Sequence, residues 1–139
     1  MIETKFRGKS IMPIDYLDMI GVEHADGWMV GNLITNGGKP YIVGDLTEAT
    51  DEYINHEFWA AVEPGSVGQG TGLVDIKGNQ IYNSDLIKDD ENFVWEVIYS
   101  QGAFYARCND LMARQLLSSI NLFGVVVGKK YENPDLIGA

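Results

Sequence analysis

The chain has 139 residues, 45% of them hydrophobic, with 16 Gly, 3 Trp, 7 Tyr and 5 Phe, enough apolar material for a core and too much for a disordered polymer. Twenty acidic residues against 10 basic leave a net charge of −10, which argues against a nucleic-acid binder, because affinity for phosphates comes mainly from Lys and Arg. The basic residues are scattered, and only Lys129-Lys130 are adjacent.

Met1 to Gly8 reads as a short edge strand, with Ile2, Thr4 and Phe6 on one face. Ile11 to Gly21 has mixed spacing around Pro13 and reads as irregular or a short turn of helix. Trp28 to Thr35 is a strand. It runs into Asn36-Gly37-Gly38 and then Pro40 to Val43, a hairpin signal because an Asn-Gly pair readily takes the positive φ angles of a type I′ turn. The most acidic stretch, Asp45 to Glu57, reads as a solvated loop with at most one helical turn. Phe58 to Val62 is a strand closed by Pro64-Gly65.

Leu73 to Ile76 and Gln80 to Tyr82 flank a turn at Lys77-Gly78-Asn79 and form a second hairpin. Phe93 to Tyr99 alternates Phe93, Trp95, Val97 and Tyr99 with Val94, Glu96 and Ile98, which predicts a strand buried on both faces. Gln101-Gly102 turns the chain into Ala103 to Cys108. Met112, Leu116 and Ile120 at i, i+4 and i+8, with Asn109 or Asp110 as a cap, predict a helix over Asp110 to Ile120. Gly124 to Gly128 is a Val-rich last strand, and Asn133-Pro134 ends regular pairing. Tyr131 to Ile137 is expected to pack on the 73–87 hairpin through Tyr131, Leu136 and Ile137. The run of short strands between glycine turns predicts a β-rich fold with an antiparallel barrel over about residues 70–137. Residues 1–139 are read as one domain, with subdomains 1–66 and 67–139 on either side of the glycine-rich stretch.

Candidate chemistry is sparse. Glycines 65, 68, 70 and 72 match neither phosphate-loop pattern and precede a strand rather than a helix, so they read as turn and close-packing glycines. His24, flanked by Glu23 and Asp26, and His56, near Glu52 and Glu57, are the raw material for a carboxylate–histidine site, but neither stands in a metal-ligand spacing. Asp89-Asp90-Glu91 lacks the alternation of a calcium loop and reads as a charged turn. Asp15 and Asp18 can meet on one helical face. Cys108, the single cysteine, reads as a buried thiol, and no disulfide can form within the chain. No apolar run approaches the roughly 20 residues that span a bilayer, and the first residues lack a secretory apolar core, so the expected location is the cytoplasm. No catalytic, cofactor or metal residue is assigned.

Several segments, in order, carry a resemblance. They are KFRGK from Lys5, GWMVGNLI from Gly27, PYIV from Pro40, EPGSVGQGTGLVDIKGNQIYNSDLI from Glu63 and YENPDLI from Tyr131. Together they resemble the YopX family of phage and prophage proteins. The family usually has an aromatic residue where Gly70 stands, acidic or Thr residues at Gly65 and Ser66, and Gly where Ser84 precedes Asp85. The resemblance implies a strongly β-rich α+β fold of antiparallel sheets with a C-terminal SH3-like barrel, and a phage or prophage origin. It brings no catalytic residues, because none is established in the family. The expected function is a non-enzymatic binding or assembly module whose partner is a host or phage protein, with self-association through exposed strand edges as an option, and with neither direct DNA binding nor membrane insertion. The alternative is a small enzyme or a modulator of a nucleic-acid process, built from His24, His56 and nearby carboxylates.

Overall fold

A computed structural model of the chain describes residues 5–44, 46–49, 54–56, 59–120 and 124–137. Its contacts divide into two compact units, Glu3–Gln69 and Gly70–Ala139. The described fold is strongly β-rich, with antiparallel pairing throughout and two short α-helices.

The first unit holds β1 (Phe6–Lys9), α1 (Ile14–Met19), β2 (Trp28–Asn36), β3 (Lys39–Val43), β4 (Leu46–Ala49), β5 (Ile54–His56), β6 (Trp59–Ala61) and the start of β7 (Gly68–Val74). Its strands lie in the order β6-β3-β2-β1-β7, with β4 and β5 paired separately. The predicted edge strand is instead interior: β1 pairs with β2 on one side and with Gly68 and Gln69 of β7 on the other. Gly8 permits this, since a Cβ there would stand 2.9 Å from the Val62 side chain. Ile2 and Thr4 lie outside the described residues. The β2–β3 hairpin forms as expected, one residue along from the Asn-Gly pair. Gly37 (φ +60) and Gly38 (φ +80) take the two turn positions, and Asn36 is the last paired residue, opposite Lys39.

The acidic stretch is not a loop throughout. Leu46 pairs with His56, Glu48 with Asn55 and Ala49 with Ile54. Acidic charge reports solvation, while two short runs can still satisfy each other's backbone groups. Asp45, Asp51, Glu52 and Glu57 lie outside the described residues. The core is Leu17, Val22, Met29, Ile42, Ala60 and Val62.

The second unit holds the end of β7, then β8 (Gln80–Tyr82), β9 (Asp85–Lys88), β10 (Val94–Ser100), β11 (Ala103–Cys108), β12 (Ala113–Leu116), α2 (Leu117–Ile120) and β13 (Val125–Lys129). β7 and β8 form the predicted second hairpin, pairing Gly70 with Tyr82 and Val74 with Gln80. The other strands make a sheet in the order β12-β11-β10-β9-β13. β12 and β13 stand at opposite ends of that order, and no sheet closes on itself among the described residues, so an SH3-like barrel is not shown. The core is Ile81, Ile87, Trp95, Val97, Ala106, Cys108 and Leu117, and Cys108 is buried as expected.

Three expectations are corrected in this unit. Trp95 and Val97 are buried, but Tyr99 is 56% exposed. It sits at the strand end, in edge contact with Phe104 across the pair (centroids 5.0 Å apart), just before the turn at Gln101 (φ +51) and Gly102 (φ +82). On the opposite face Val94 and Ile98 are half-buried, while Glu96 is the buried residue.

The helix expected over Asp110 to Ile120 is reduced to its last turn. Residues 113–116 pair with β11, and only Leu117–Ile120 are helical. A spacing of four is also a multiple of two, so Met112, Leu116 and Ile120 fit a strand's period as well as a helix's. The buried anchor is Leu117, and Met112 stands 95% exposed at φ +48.

The tail is ordered to Ile137 in a short 3-10 turn, Pro134–Ile137, but it is not deeply packed. Next to the 73–87 segment it is the preceding residue that bonds, Lys130 N–H to the Ser84 carbonyl at 2.9 Å. The turn itself lies against β10, with Leu136 and Asn133 over Gly128, and Tyr131 and Leu136 stay about two-fifths exposed (42% and 41%).

Candidate functional site

The loop that follows α1 folds His24 back on the helix. Gly21 (φ +77) and Gly27 (φ +88) supply backbone conformations closed to most side chains. The Gly27 N–H donates to His24 Nδ1 at 3.0 Å, which leaves the ring proton on Nε2, and that N–H donates to Asp18 Oδ1 at 2.7 Å. The partner is therefore Asp18, six residues back, and not the flanking Glu23 or Asp26. Asp15, the other member of the i, i+3 pair, lies in the first turn of α1. Beside His24 lies a cleft of about 550 Å³ lined by Lys5, Ile20, Val22, Trp28 and Val30. Trp28 is buried and carries two cations on its ring, with the Arg7 guanidinium 5.4 Å and Lys9 Nζ 5.8 Å from the centroid. Lys9 Nζ also donates to the Asp26 carbonyl at 2.7 Å. The backbone of His56 lies in β5, while its side chain and those of Glu52 and Glu57 lie outside the described residues. Among the described residues no three His, Cys, Asp or Glu side chains gather into a metal-holding group.

The glycine-rich stretch does not have the geometry of a phosphate loop. Glycines 68, 70 and 72 lie in β7, and a helix N-terminus does not follow. Its chemistry is concentrated in Asp75, 2% exposed, whose Oδ1 accepts the N–H groups of Lys77 (2.9 Å) and Asn79 (2.8 Å). Its Oδ2 accepts from Asn79 Nδ2 (3.1 Å) and from the N–H of Val126 on β13 (2.9 Å). Burial alone pushes this carboxyl up, but the Val126 and Asn79 amides, the Asn79 side chain and the Lys77 amide together outweigh it and hold the group below the usual carboxylate range. Asp85, buried as well, accepts the Tyr82 N–H at 2.7 Å.

Asp89 is a turn residue, as read from the sequence. Its Oδ1 takes the Glu91 and Phe93 amides, both at 2.9 Å, and its Oδ2 takes the Trp95 indole N–H at 2.9 Å. A second cleft of about 390 Å³ lies here, between Asp90, Glu91, Phe93 and Leu111.

One grouping was missed. On the face of the β10–β11–β12 sheet that carries Glu96, Arg107 sits opposite Glu96 and Arg114 opposite Arg107. Glu96 is bridged by Arg107 (2.9 Å) and by Lys130 (3.1 Å). The scattered cations of the sequence thus gather through strand register.

A family profile described as YopX protein matches residues 23–138. The chain belongs to the YopX family. Among solved structures, this YopX protein is similar to protein EF1440 from Enterococcus faecalis, with a TM-score of 0.59 and 20% sequence identity over 99% of both chains. That likeness speaks for the fold. No curated protein matches. No helix among the described residues is long and apolar enough to cross a membrane.

Proposed function

We propose that this YopX protein is a phage- or prophage-encoded binding or assembly module that acts on a protein partner in the host cytoplasm and performs no catalysis of its own. The observation that carries this reading is the use of its polar groups. Both ring nitrogens of His24, both carboxylate oxygens of Asp75 and those of Asp89 are taken by the protein's own backbone amides or side chains. Large apolar side chains meanwhile face solvent, among them Ile11, Met19 and Ile20 around α1 and Leu111 and Met112 before β12. Exposed apolar surface of this kind suits protein partners. The five-stranded antiparallel sheet of the second unit suits an SH3-like module within the same reading.

The deciding experiment is affinity capture from infected host lysate, with the tagged protein against a scrambled control. A stoichiometric partner supports the reading, and repeated capture of none overturns it. The net charge of −10 opposes approach to a polyanion, so a mobility-shift assay with duplex DNA at physiological salt should show no sub-micromolar complex.

The alternative, an enzyme built on His24 and His56, is favoured by the cleft beside His24 and opposed by the occupation of both its ring nitrogens. Replacing each histidine by Ala in a phage-growth assay separates the two. Loss of growth with unchanged melting and unchanged partner capture would favour catalysis.

A further inference from the structure

The Glu96 face ends at β12, the edge strand of its sheet. Two cross-strand rows run along that face toward the edge. One is Glu96–Arg107–Arg114, and the other is Ile98–Tyr105–Leu116. Glu96 is the single carboxylate in the first row and is shared by Arg107 and Lys130. Arg114 has no carboxylate in reach among the described residues, and its guanidinium lies over the Tyr105 ring, 4.2 Å from the centroid. Two arginines directly opposed across a strand pair repel unless an anion joins them. Leu116 beside them is half-exposed. Ala113 to Leu116 bond to β11 on one side only, and the outward N–H and C=O groups of the edge meet no other strand among the described residues. The molecule as a whole is strongly acidic, so this face is a cationic and apolar exception on it.

We propose that the β12 edge takes an extended acidic segment of a partner protein as an added strand, with a carboxylate opposite Arg114 and an apolar side chain two residues away opposite Leu116. The proposal rests on the binding reading above and names the surface and the partner's chemistry. The unpaired edge supplies main-chain bonds, and the strand period of two sets the spacing of the acid and the apolar residue. Charge selects the occupant. The cations of the face attract a local carboxylate, while the field of ten excess negative charges disfavours a long polyanion. A second copy's β12 edge, Ala-Arg-Gln-Leu, carries no carboxylate to set opposite Arg114, which favours an acidic partner over self-pairing.

The probe is a fluorescein-labelled peptide of about eight residues, a strand's length, with glutamate and leucine two apart in a run of threonines. Its anisotropy should rise saturably with the intact protein, and backbone amide shifts should centre on Ala113 to Leu116. Arg114→Glu should weaken binding about tenfold or more and restore it for the peptide with lysine in place of glutamate. Equal binding by wild type and Arg114→Glu, shifts centred elsewhere, or tighter binding of a single-stranded oligonucleotide would overturn the proposal. So would a dimer that forms through β12 in place of peptide binding. The lysate capture keeps the two readings apart. A host partner held equally by wild type and Arg114→Glu overturns the β12 site and leaves the binding reading standing, whereas no partner for either overturns the binding reading itself.

Discussion

At Ser84 the backbone holds φ +72, locked by its N–H to the Val97 carbonyl and by its carbonyl to the Lys130 N–H, both at 2.9 Å. A left-handed conformation costs a residue with a Cβ about 1–2 kcal/mol. The glycine that the YopX family usually carries there avoids that cost. Ser84→Gly should therefore raise stability by about 0.5–1 kcal/mol, after the extra entropy of glycine in the unfolded chain is subtracted, read as a higher urea midpoint at unchanged slope. Asp75 gives the opposite case. Asp75→Asn keeps the shape, loses acceptor capacity and leaves a buried donor unmatched, at a cost of about 1–3 kcal/mol at neutral pH. The wild-type carboxyl titrates lower in the folded chain than the ordinary value of about 3.9. Its contribution is present in full above that value and is lost as pH falls through the folded one. The stability gap between wild type and Asp75→Asn should therefore hold down to about pH 4 and narrow on further acidification, which denaturant titrations at a series of pH values would check.

At the scale of the element, β10 carries a buried and an open position on the same side. Trp95 is 4% exposed and hydrogen-bonded to Asp89, and its truncation to Ala should cost about 3–5 kcal/mol. Tyr99→Ser should cost less than about 1 kcal/mol, since the ring is already half in water. Thermal melts of the two variants side by side test the assignment of that face. Most strands were legible because alternation and glycine turns are local signals. The Gln101-Gly102 turn even fixes the β10–β11 register, so the pairing of Glu96 with Arg107 could have been read from it. Arg114 cannot be, because the spacing of Met112, Leu116 and Ile120 reads as helix, and a helical reading of residues 110–120 hides the cationic face. The flanking carboxylates Glu23 and Asp26 are what the sequence offers His24, and Asp18 is not legible as its partner, because the glycine-hinged loop that brings the two together leaves no periodic mark. The interior place of β1 depends on a missing Cβ at Gly8 and a neighbour 54 positions away, so no local pattern announces it.

For the molecule as a whole, the C-terminal turn adds stability at the margin. Deleting residues 131–139 removes three large apolar side chains, Tyr131, Leu136 and Ile137, that are only partly buried, so the loss should be about 1–3 kcal/mol, a fall of several degrees in melting temperature rather than failure to fold. A larger collapse would mean that Asn133, which accepts the Lys129 N–H at 3.1 Å, anchors more of β13 than its own bond suggests. Asp75 carries a different consequence, one of timing. Its bonds within 75–79 are local, but the fourth donor, Val126, comes 51 residues later. On a ribosome adding roughly 5–20 residues per second, that amide is made about 3–10 s after the carboxylate it must reach. Until then the buried position of Asp75 lacks its lid, and β9, which pairs with β13, has an uncovered side. A nascent or prematurely ended chain that stops short of Val126 thus shows quality-control proteases an open strand edge and a half-satisfied acid, and the last strand to be synthesised removes both at once.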